Sequence, residues 1–478
     1  MIEFKTDLFP YQAAGVEKLI QVKVGALYMD MGTGKTRTAL ELAVRRLNAG
    51  KVDHVLWLCP YSVVLDLPEL LAEHVAGFNE YLTICGIETL STSTRENARL
   101  LRLVSSKRVY LIVDESLLVK NPTAYRTQNI IRISNRCEYK LILNGTPVSR
   151  NEADLFAQWY VLDWRILGYR SYWSFAANHL EFDIDHPGRI VHALNVDYLA
   201  AKIAPYTYEV QKNDVLTSLP PRNYQSVAFY LSNEQEEHYS DVSETLLAQV
   251  EEFRPETIYR MYGALQAIAS GFAVQLNEKG PITRYVMYPP DQNPRIKKLM
   301  TVLERFGDEQ VVIYCQYTQE ITDIIQTLNA REAECAVPFY GELSQLARQQ
   351  NKNSFRDGKS RYFVANKACA KFGLNLQFCW NEVFYSNDWE WGTRVQAEDR
   401  IYRPGQTHPV TVVDLYAANT LDETILKCLG RKEGIAVSFR EAVRKNNDVK
   451  GALRDILRGG AKLIRGKEGV QIAEDIYQ

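Results

Sequence analysis

Short, continuous apolar runs separated by helical stretches dominate the first 145 residues. Val24-Gly25-Ala26-Leu27-Tyr28-Met29, Val55-Leu56-Trp57-Leu58-Cys59, Val109-Tyr110-Leu111-Ile112-Val113 and Leu141-Ile142-Leu143 lack polar alternation, which suits strands covered on both faces. Between the first two runs, Ala39, Leu40, Leu42, Ala43 and Leu47 recur at helical spacing from Arg37 to Asn48. Strands alternating with helices predict a parallel α/β sheet. The pattern returns near residue 295 with Val311-Val312-Ile313-Tyr314, then Ile321, Ile324, Ile325 and Leu328 at helical spacing. Further apolar runs follow at 362–364, 383–385 and 410–413. The stretch between differs in character: it is aromatic-rich over 151–210 and helical over 234–275, and Pro pairs at 220–221 and 289–290 mark breaks. The expected architecture is α/β, with two parallel-sheet lobes in tandem. Its segments are an N-terminal lobe over 1–150, a mainly helical insertion over 151–290, a C-terminal lobe over 291–430 and a basic helical segment over 431–478.

Composition narrows the class. The chain has 478 residues, 46% hydrophobic and 24% charged, ordinary values for a globular protein. No apolar run approaches the ~18 residues of a membrane span, and the acidic start Met1–Asp7 is unlike a signal peptide. A soluble, cytoplasmic protein is expected. The eight cysteines form no C-x-x-C pair and the seven histidines show no metal spacing, which argues against a zinc or disulfide framework. The net charge of −2 at first speaks against nucleic acid. It averages two unlike parts, however: residues 427–467 hold twelve Lys and Arg against four acids, leaving −10 on the remainder. That stretch suits a brace against phosphates, or an amphipathic helix docking through Ile456, Leu457 and Leu463. The aromatic cluster Trp159 to Phe175 suits core packing or the stacking of bases.

Three groups of residues carry chemistry. Gly32-Thr33-Gly34-Lys35-Thr36 directly follows the first strand and opens a helix, where backbone N–H groups and the helix N-terminus face an anion. With Met31, these residues form a candidate phosphate-binding loop in which Lys35 reaches the β/γ-phosphates and Thr36 ligates Mg²⁺. Met29 stands where many such loops have Gly, and a plain glycine turn is the alternative. Next, Asp114-Glu115 end the strand 109–113; beside such a loop, Asp114 holds Mg²⁺ and Glu115 positions and activates the attacking water. Far away, Arg400 and Arg403 are spaced one helical turn apart and could stabilise charge on a transferring phosphate. A helix salt-bridged through Glu398 and Asp399 is the bland alternative.

Gln12, Gly32–Thr36, Asp114-Glu115, Gly145-Thr146-Pro147, Gly373-Leu374-Asn375-Leu376 and Gln396–Gln406 occur in the order of superfamily-two helicase motifs, which the chain resembles over roughly residues 5–430. Pro10-Tyr11-Gln12, Lys120-Asn121, Leu219-Pro220-Pro221-Arg222, Gln316-Tyr317-Thr318 and Ala397-Glu398-Asp399-Arg400 look like the Swi/Snf-type branch. The resemblance implies two RecA-like lobes, ATP and Mg²⁺ as cofactors, and DNA as partner. It implies that Gln12 reads adenine and that Gly145–Pro147 couples nucleotide state to DNA contact. Gly373 and Asn375 would link the second lobe to both, and Arg400 and Arg403 would act at the phosphates. Ser116-Leu117 stand where Ala-His is usual, and Glu390-Trp391-Gly392 departs from the usual Asn-Pro. The compact chain is similar to the minimal helicases of bacteriophages and bacteria, which implies a monomer in a bacterial cell or phage-infected host. Partners in replication or recombination are then expected.

Three functions fit these residues: an ATP-driven translocase on double-stranded DNA, a helicase separating DNA or RNA strands, and a non-catalytic nucleotide-gated clamp. The set Lys35, Thr36, Asp114, Glu115, Arg400 and Arg403 favours the first over the third. A strand-separating wedge, which the second needs, has no pattern in the sequence.

Overall fold

The computed structural model describes residues 2–148, 151–183, 190–215, 219–248, 255–276, 282–367, 374–389, 391–431, 451 and 456–457. The chain divides into two compact units, Met1–Ser218 and Leu219–Gln478. Residues 151–290 are therefore shared between the units, and the Pro pair at 220–221 stands at the division.

The first unit is built on strands β1 (Val24–Met29), β2 (His54–Cys59), β3 (Leu82–Gly86), β4 (Val109–Val113) and β5 (Tyr139–Asn144). A short antiparallel pair follows, β6 (Leu180–Phe182) and β7 (Ile190–Ala193), and then β8 (Thr207–Val210). Six of these form a wholly parallel sheet in the order β3-β2-β4-β5-β1-β8. Every residue of β2 and β4 is buried, which is why their sequences run apolar without alternation. One face packs on the helix Lys35–Asn48, with Leu40, Ala43 and Val44 against Leu27, Trp57 and Ile112. The other packs on the helix Ala153–Leu167, where Trp159 and Phe156 join Phe175 in the core, so those members of the aromatic cluster serve packing. Trp173 instead stays exposed. The edge strands β3 and β8 are the ones that the hydrophobic pattern does not announce; both are short and carry polar residues.

The second unit contains β9 (Arg222–Phe229), the antiparallel hairpin β10 (Phe272–Gln275) and β11 (Thr283–Val286), β12 (Val311–Cys315), β13 (Ala336–Phe339), β14 (Tyr362–Asn366), β15 (Asn381–Phe384) and β16 (Val410–Ala417). Six again make a parallel sheet, in the order β13-β14-β12-β15-β16-β9. Two parallel six-stranded sheets with helices are the tandem RecA-like α/β architecture. Helices Asn233–Ala248, Pro255–Ala269 and Leu421–Gly430 share a core of their own with Leu246, Leu265 and Ile425. Ile456 and Leu457 belong to that core. Tyr239 Oη donates to Leu457 O at 2.8 Å and Thr424 Oγ1 to Ile456 O at 2.7 Å, so the chain returns to this unit after residue 431. Leu463 and most of the bases of 427–467 lie outside the described residues. No helix among the described residues is long and apolar enough to cross a membrane.

Leu457 is fully buried. Truncation by Leu457→Ala is expected to cost about 2–5 kcal/mol through lost contacts and a residual cavity. Urea unfolding checks this; a midpoint equal to that of the parent would mean that the docked residues contribute nothing.

Candidate active site

Three sequence motifs leave the carboxyl ends of three adjacent strands. β1 runs into Asp30–Thr36, β5 into Gly145–Pro147 and β4 into Asp114-Glu115, with β5 in the middle of the three. In an open parallel sheet this edge is where ligands are held, because all strand ends and the following helix N-termini gather there.

Gly32 and Gly34 adopt φ of 79° and 85°, left-handed values that glycine takes without strain. Gly34 caps the helix Lys35–Asn48. Between the glycines, the Thr33 hydroxyl donates to Asp30 O at 2.7 Å. Gln12 locks the same turn: its Nε2 donates to Thr33 O at 3.0 Å and its Oε1 accepts from Phe9 N–H at 3.0 Å. A Cβ at position 34 would also lie 2.1 Å from Gln12 Nε2, so that side chain would have to shift. Lys35 Nζ donates to Met29 O at 2.6 Å, which folds its ammonium back over the loop. Met31, Gly32 and Thr36 are half-buried beside it.

The acidic pair is strained and electrostatically loaded. Asp114 N–H donates to Leu58 O at 2.7 Å, and Asp114 Oδ1 accepts from Glu115 N–H at 3.0 Å. Burial, then the Glu115 carboxylate, push Asp114 up to about 6, while the Lys35 charge pulls it back. Lys35 and Asp114 thus share one electrostatic environment although they are 79 positions apart. Glu115 itself sits at φ 51°, an uncommon value for a residue with a side chain.

Sequence reasoning passed over the floor of the loop. Asp30 N–H donates to Val210 O at 3.0 Å, and Asp30 Oδ2 accepts from Lys212 N–H at 2.8 Å. Tyr208 Oη donates to Tyr11 O at 2.6 Å. These contacts come from β8 and the turn after it, a strand of four residues with too little pattern to be read. The one available signal is Asp30 itself, an acid wedged between a buried strand and the glycine turn.

In the second unit the helix Trp391–Glu398 ends before Arg400. Arg400 and Arg403 are therefore not one helical turn apart, as their spacing suggested. They lie in tight turns, with Arg400 N–H donating to Ala397 O and Arg403 N–H to Ile401 O. Nor is Glu398 occupied by Arg400: its carboxylate takes Arg394 at 2.6 Å, Arg222 at 3.0 Å and the Tyr224 hydroxyl at 2.8 Å. Arg400 is buried and donates from Nε to Gln396 O at 3.1 Å, whereas Arg403 is half-exposed. Leu376 N–H donates to Arg400 O at 3.0 Å, which ties the segment around exposed Asn375 to the arginine turn. Gly373 lies outside the described residues. Beneath the turn, Arg394 also pairs with Asp414, and both are buried.

Two outcomes follow. Gly34→Ala is expected to weaken binding of an ATP analogue at least tenfold, since left-handed backbone costs about 1–2 kcal/mol and Gln12 must also yield; fluorescence titration reads this, and parental affinity would refute the loop geometry. Arg394→Ala removes the arginine paired with buried Asp414 and one of the two arginines on buried Glu398, and should cost about 3–5 kcal/mol. A calorimetric unfolding midpoint within a degree of the parent would contradict that.

An SNF2-related domain matches residues 73–268 and a helicase conserved C-terminal domain matches 294–405. Asp114, Glu115 and Gly145–Pro147 fall in the first match and Arg400 and Arg403 in the second, while Gly32–Thr36 precede both. The chain is 23% identical to the SWI/SNF-related matrix-associated actin-dependent regulator of chromatin subfamily A-like protein 1 of Xenopus laevis, over 92% of this chain and 46% of that protein. It is also 23% identical to the uncharacterized ATP-dependent helicase YqhH of Bacillus subtilis, over 92% of this chain and 80% of that one. Among solved structures, the Sulfolobus solfataricus SWI2/SNF2 ATPase core in complex with dsDNA matches at 23% identity and a TM-score of 0.40, covering 88% of this chain and 90% of the other. The chain spans from about a quarter to under half of the length of several curated relatives, 26% and 46% in two cases.

Proposed function

The chain is a Swi/Snf-type member of the superfamily-two helicases and translocases, and from that premise we propose that it hydrolyses ATP in response to DNA and uses the energy to move along the duplex. The observation that carries this is the arrangement at one sheet edge: Lys35 after β1, Asp114-Glu115 after β4, and Gly145–Pro147 after the strand between them. Lys35 would move from Met29 O to the nucleotide phosphates. Glu115 accepts the proton of the attacking water as its oxygen bonds to the γ-phosphorus and the bond to the bridging oxygen breaks, releasing ADP and phosphate. Arg400 and Arg403 would act against charge on the transferring group.

Mg²⁺ fits the donor set. Thr36 and Asp114 offer hard oxygens, and the crowded Asp114-Glu115 pair gains from a nearby cation. Among the described residues no group of three or more His, Cys, Asp or Glu could hold a metal ion. When bound, it would neutralise phosphate charge; Thr36 and Asp114 would hold it. Gln12 would read the base, although its amide also braces the loop.

Duplex DNA is favoured as the track because the chain is similar over 92% of its length to a relative named as a regulator of chromatin. The expectation is DNA-stimulated ATP hydrolysis abolished by Lys35→Ala, lowered about 10²–10⁴-fold by Glu115→Gln, and lowered on the order of 10³-fold or more by Arg403→Ala. Unchanged turnover in Lys35→Ala or Glu115→Gln would sink the site. Triplex displacement without unwinding of a forked duplex supports the translocase; unwinding without displacement selects the strand-separating helicase instead.

A further inference from the structure

Beyond Glu115 the chain turns into a short 3-10 helix, Ser116–Val119, whose inner face is held by residues far along the sequence. Ser116 and Gln158 are both fully buried. Ser116 Oγ donates to Gln158 Oε1 at 2.6 Å. Gln158 Nε2 in turn donates to Pro147 O at 3.0 Å and to Asp154 O at 2.7 Å. Both amide hydrogens and the amide oxygen are thereby used. One turn earlier on the same helix, Asp154 pairs with Lys120 at 3.4 Å. Positions 154 and 158 of the helix Ala153–Leu167 thus clamp positions 120 and 116 of the acidic turn.

We propose that Gln158 is a positioning residue that couples the Gly145–Pro147 turn to the carboxylate of Glu115. The proposal rests on the hydrolytic reading above and deepens it. Glu115 holds a left-handed φ of 51°, and a residue with a side chain keeps such a conformation only where its surroundings impose it. Several bonds fix the far end of the turn: Leu118 N–H to Glu115 O, Arg126 Nε to Leu118 O, and Thr127 Oγ1 to Val119 O. The Ser116 hydroxyl acts at the residue directly after Glu115, and its bond leads to another motif. Residue 117 is an apolar Leu, so it offers no polar side chain for such a link; Ser116 supplies one through Gln158.

The mechanism follows from burial. A shift of the Pro147 carbonyl must either break its bond to the Gln158 amide or drag the amide with it. Gln158 is fully buried, so its amide would lose a partner away from solvent and breaking is the costlier course. The amide therefore follows, and Ser116 and the backbone that aims Glu115 follow the amide. A change of the 145–147 turn, which carries DNA contact in this reading, reaches the water-activating acid through three side-chain hydrogen-bonding groups. The bland alternative is a satisfied core glutamine that only stabilises the unit.

The test uses the full chain with Gln158→Met, similar in volume but unable to make these bonds, together with Ser116→Ala, their double variant, and Ser116→Thr, which keeps the hydroxyl. Steady-state ATP turnover is measured with and without duplex DNA, alongside nucleotide affinity and the unfolding midpoint. The expected result is a fall of at least tenfold in the ratio of DNA-stimulated to DNA-free turnover for Gln158→Met and Ser116→Ala. Nucleotide affinity should stay within twofold, the double variant should be no worse than Gln158→Met, and Ser116→Thr should restore the ratio. An unchanged ratio overturns the proposal, as do losses that multiply in the double variant or that merely track the unfolding midpoint. If the unmodified chain shows no DNA-stimulated hydrolysis, the hydrolytic reading falls and the relay falls with it. If hydrolysis is stimulated and Lys35→Ala abolishes it while the relay variants keep the parental ratio, only the relay falls.

Discussion

A parallel ladder places the carboxyl end of every strand on one edge, and both six-stranded sheets of this chain are parallel throughout. That constraint organises the first unit. Each strand must be followed by a crossover that returns to the opposite edge, so each carboxyl end opens into a loop and each loop leads to a helix N-terminus. The glycine turn, a basic side chain and paired acids are gathered there by sheet order rather than by proximity in sequence. The strand order β4-β5-β1 then decides which loops are neighbours.

The loops at that edge keep conformations that the chain would not choose locally. Gly32 and Gly34 accept left-handed backbone at little cost, but Glu115 does not, and Asp114 is held near its partner acid in a desolvated place. Bonds from outside the motifs hold these arrangements: Gln12 on Thr33, Lys212 on Asp30, Gln158 on Ser116. In the second unit, buried Arg394 does the same for the arginine turn, gripping Glu398 and Asp414 while lying over the Phe384 ring at 3.4 Å. Such a network contributes little net stability compared with apolar packing, yet losing one member strands the others, so it fixes the turn in one arrangement.

Legibility in the sequence followed burial. β1, β2, β4 and β12 were plain because every side chain, or nearly every one, is covered, and a covered strand must be apolar. β3, β8 and β9 are edge strands, where half-exposed positions accept Thr, Glu, Arg and Gln, and the pattern fades. The same logic separates the site residues. Lys35, Asp114 and Glu115 were legible as candidates because they follow buried apolar strands, whose ends the pattern marks. Asp30, Lys212, Tyr208 and Gln158 were not, because hydrogen-bonding partners can come from any polar residue that the fold happens to deliver. The arginine pair shows a third case: a three-residue spacing satisfies a helix, but the helix stops at Glu398 and the turn sets the real geometry.

The sequence by itself determined which strands are buried, which glycines make the left-handed turn, and which acids and basic residues are candidates for the chemistry, since each is dictated within a few residues by sterics, burial or charge. Tertiary structure alone decided that β8 floors the loop, that Ser116 bonds to Gln158 and Gln158 to Pro147, and that Ile456 and Leu457 return to the second unit. Those contacts join residues from 11 to 218 positions apart. A hydrogen bond records only the meeting of a donor and an acceptor, and which pair meets is settled by the packing of whole elements.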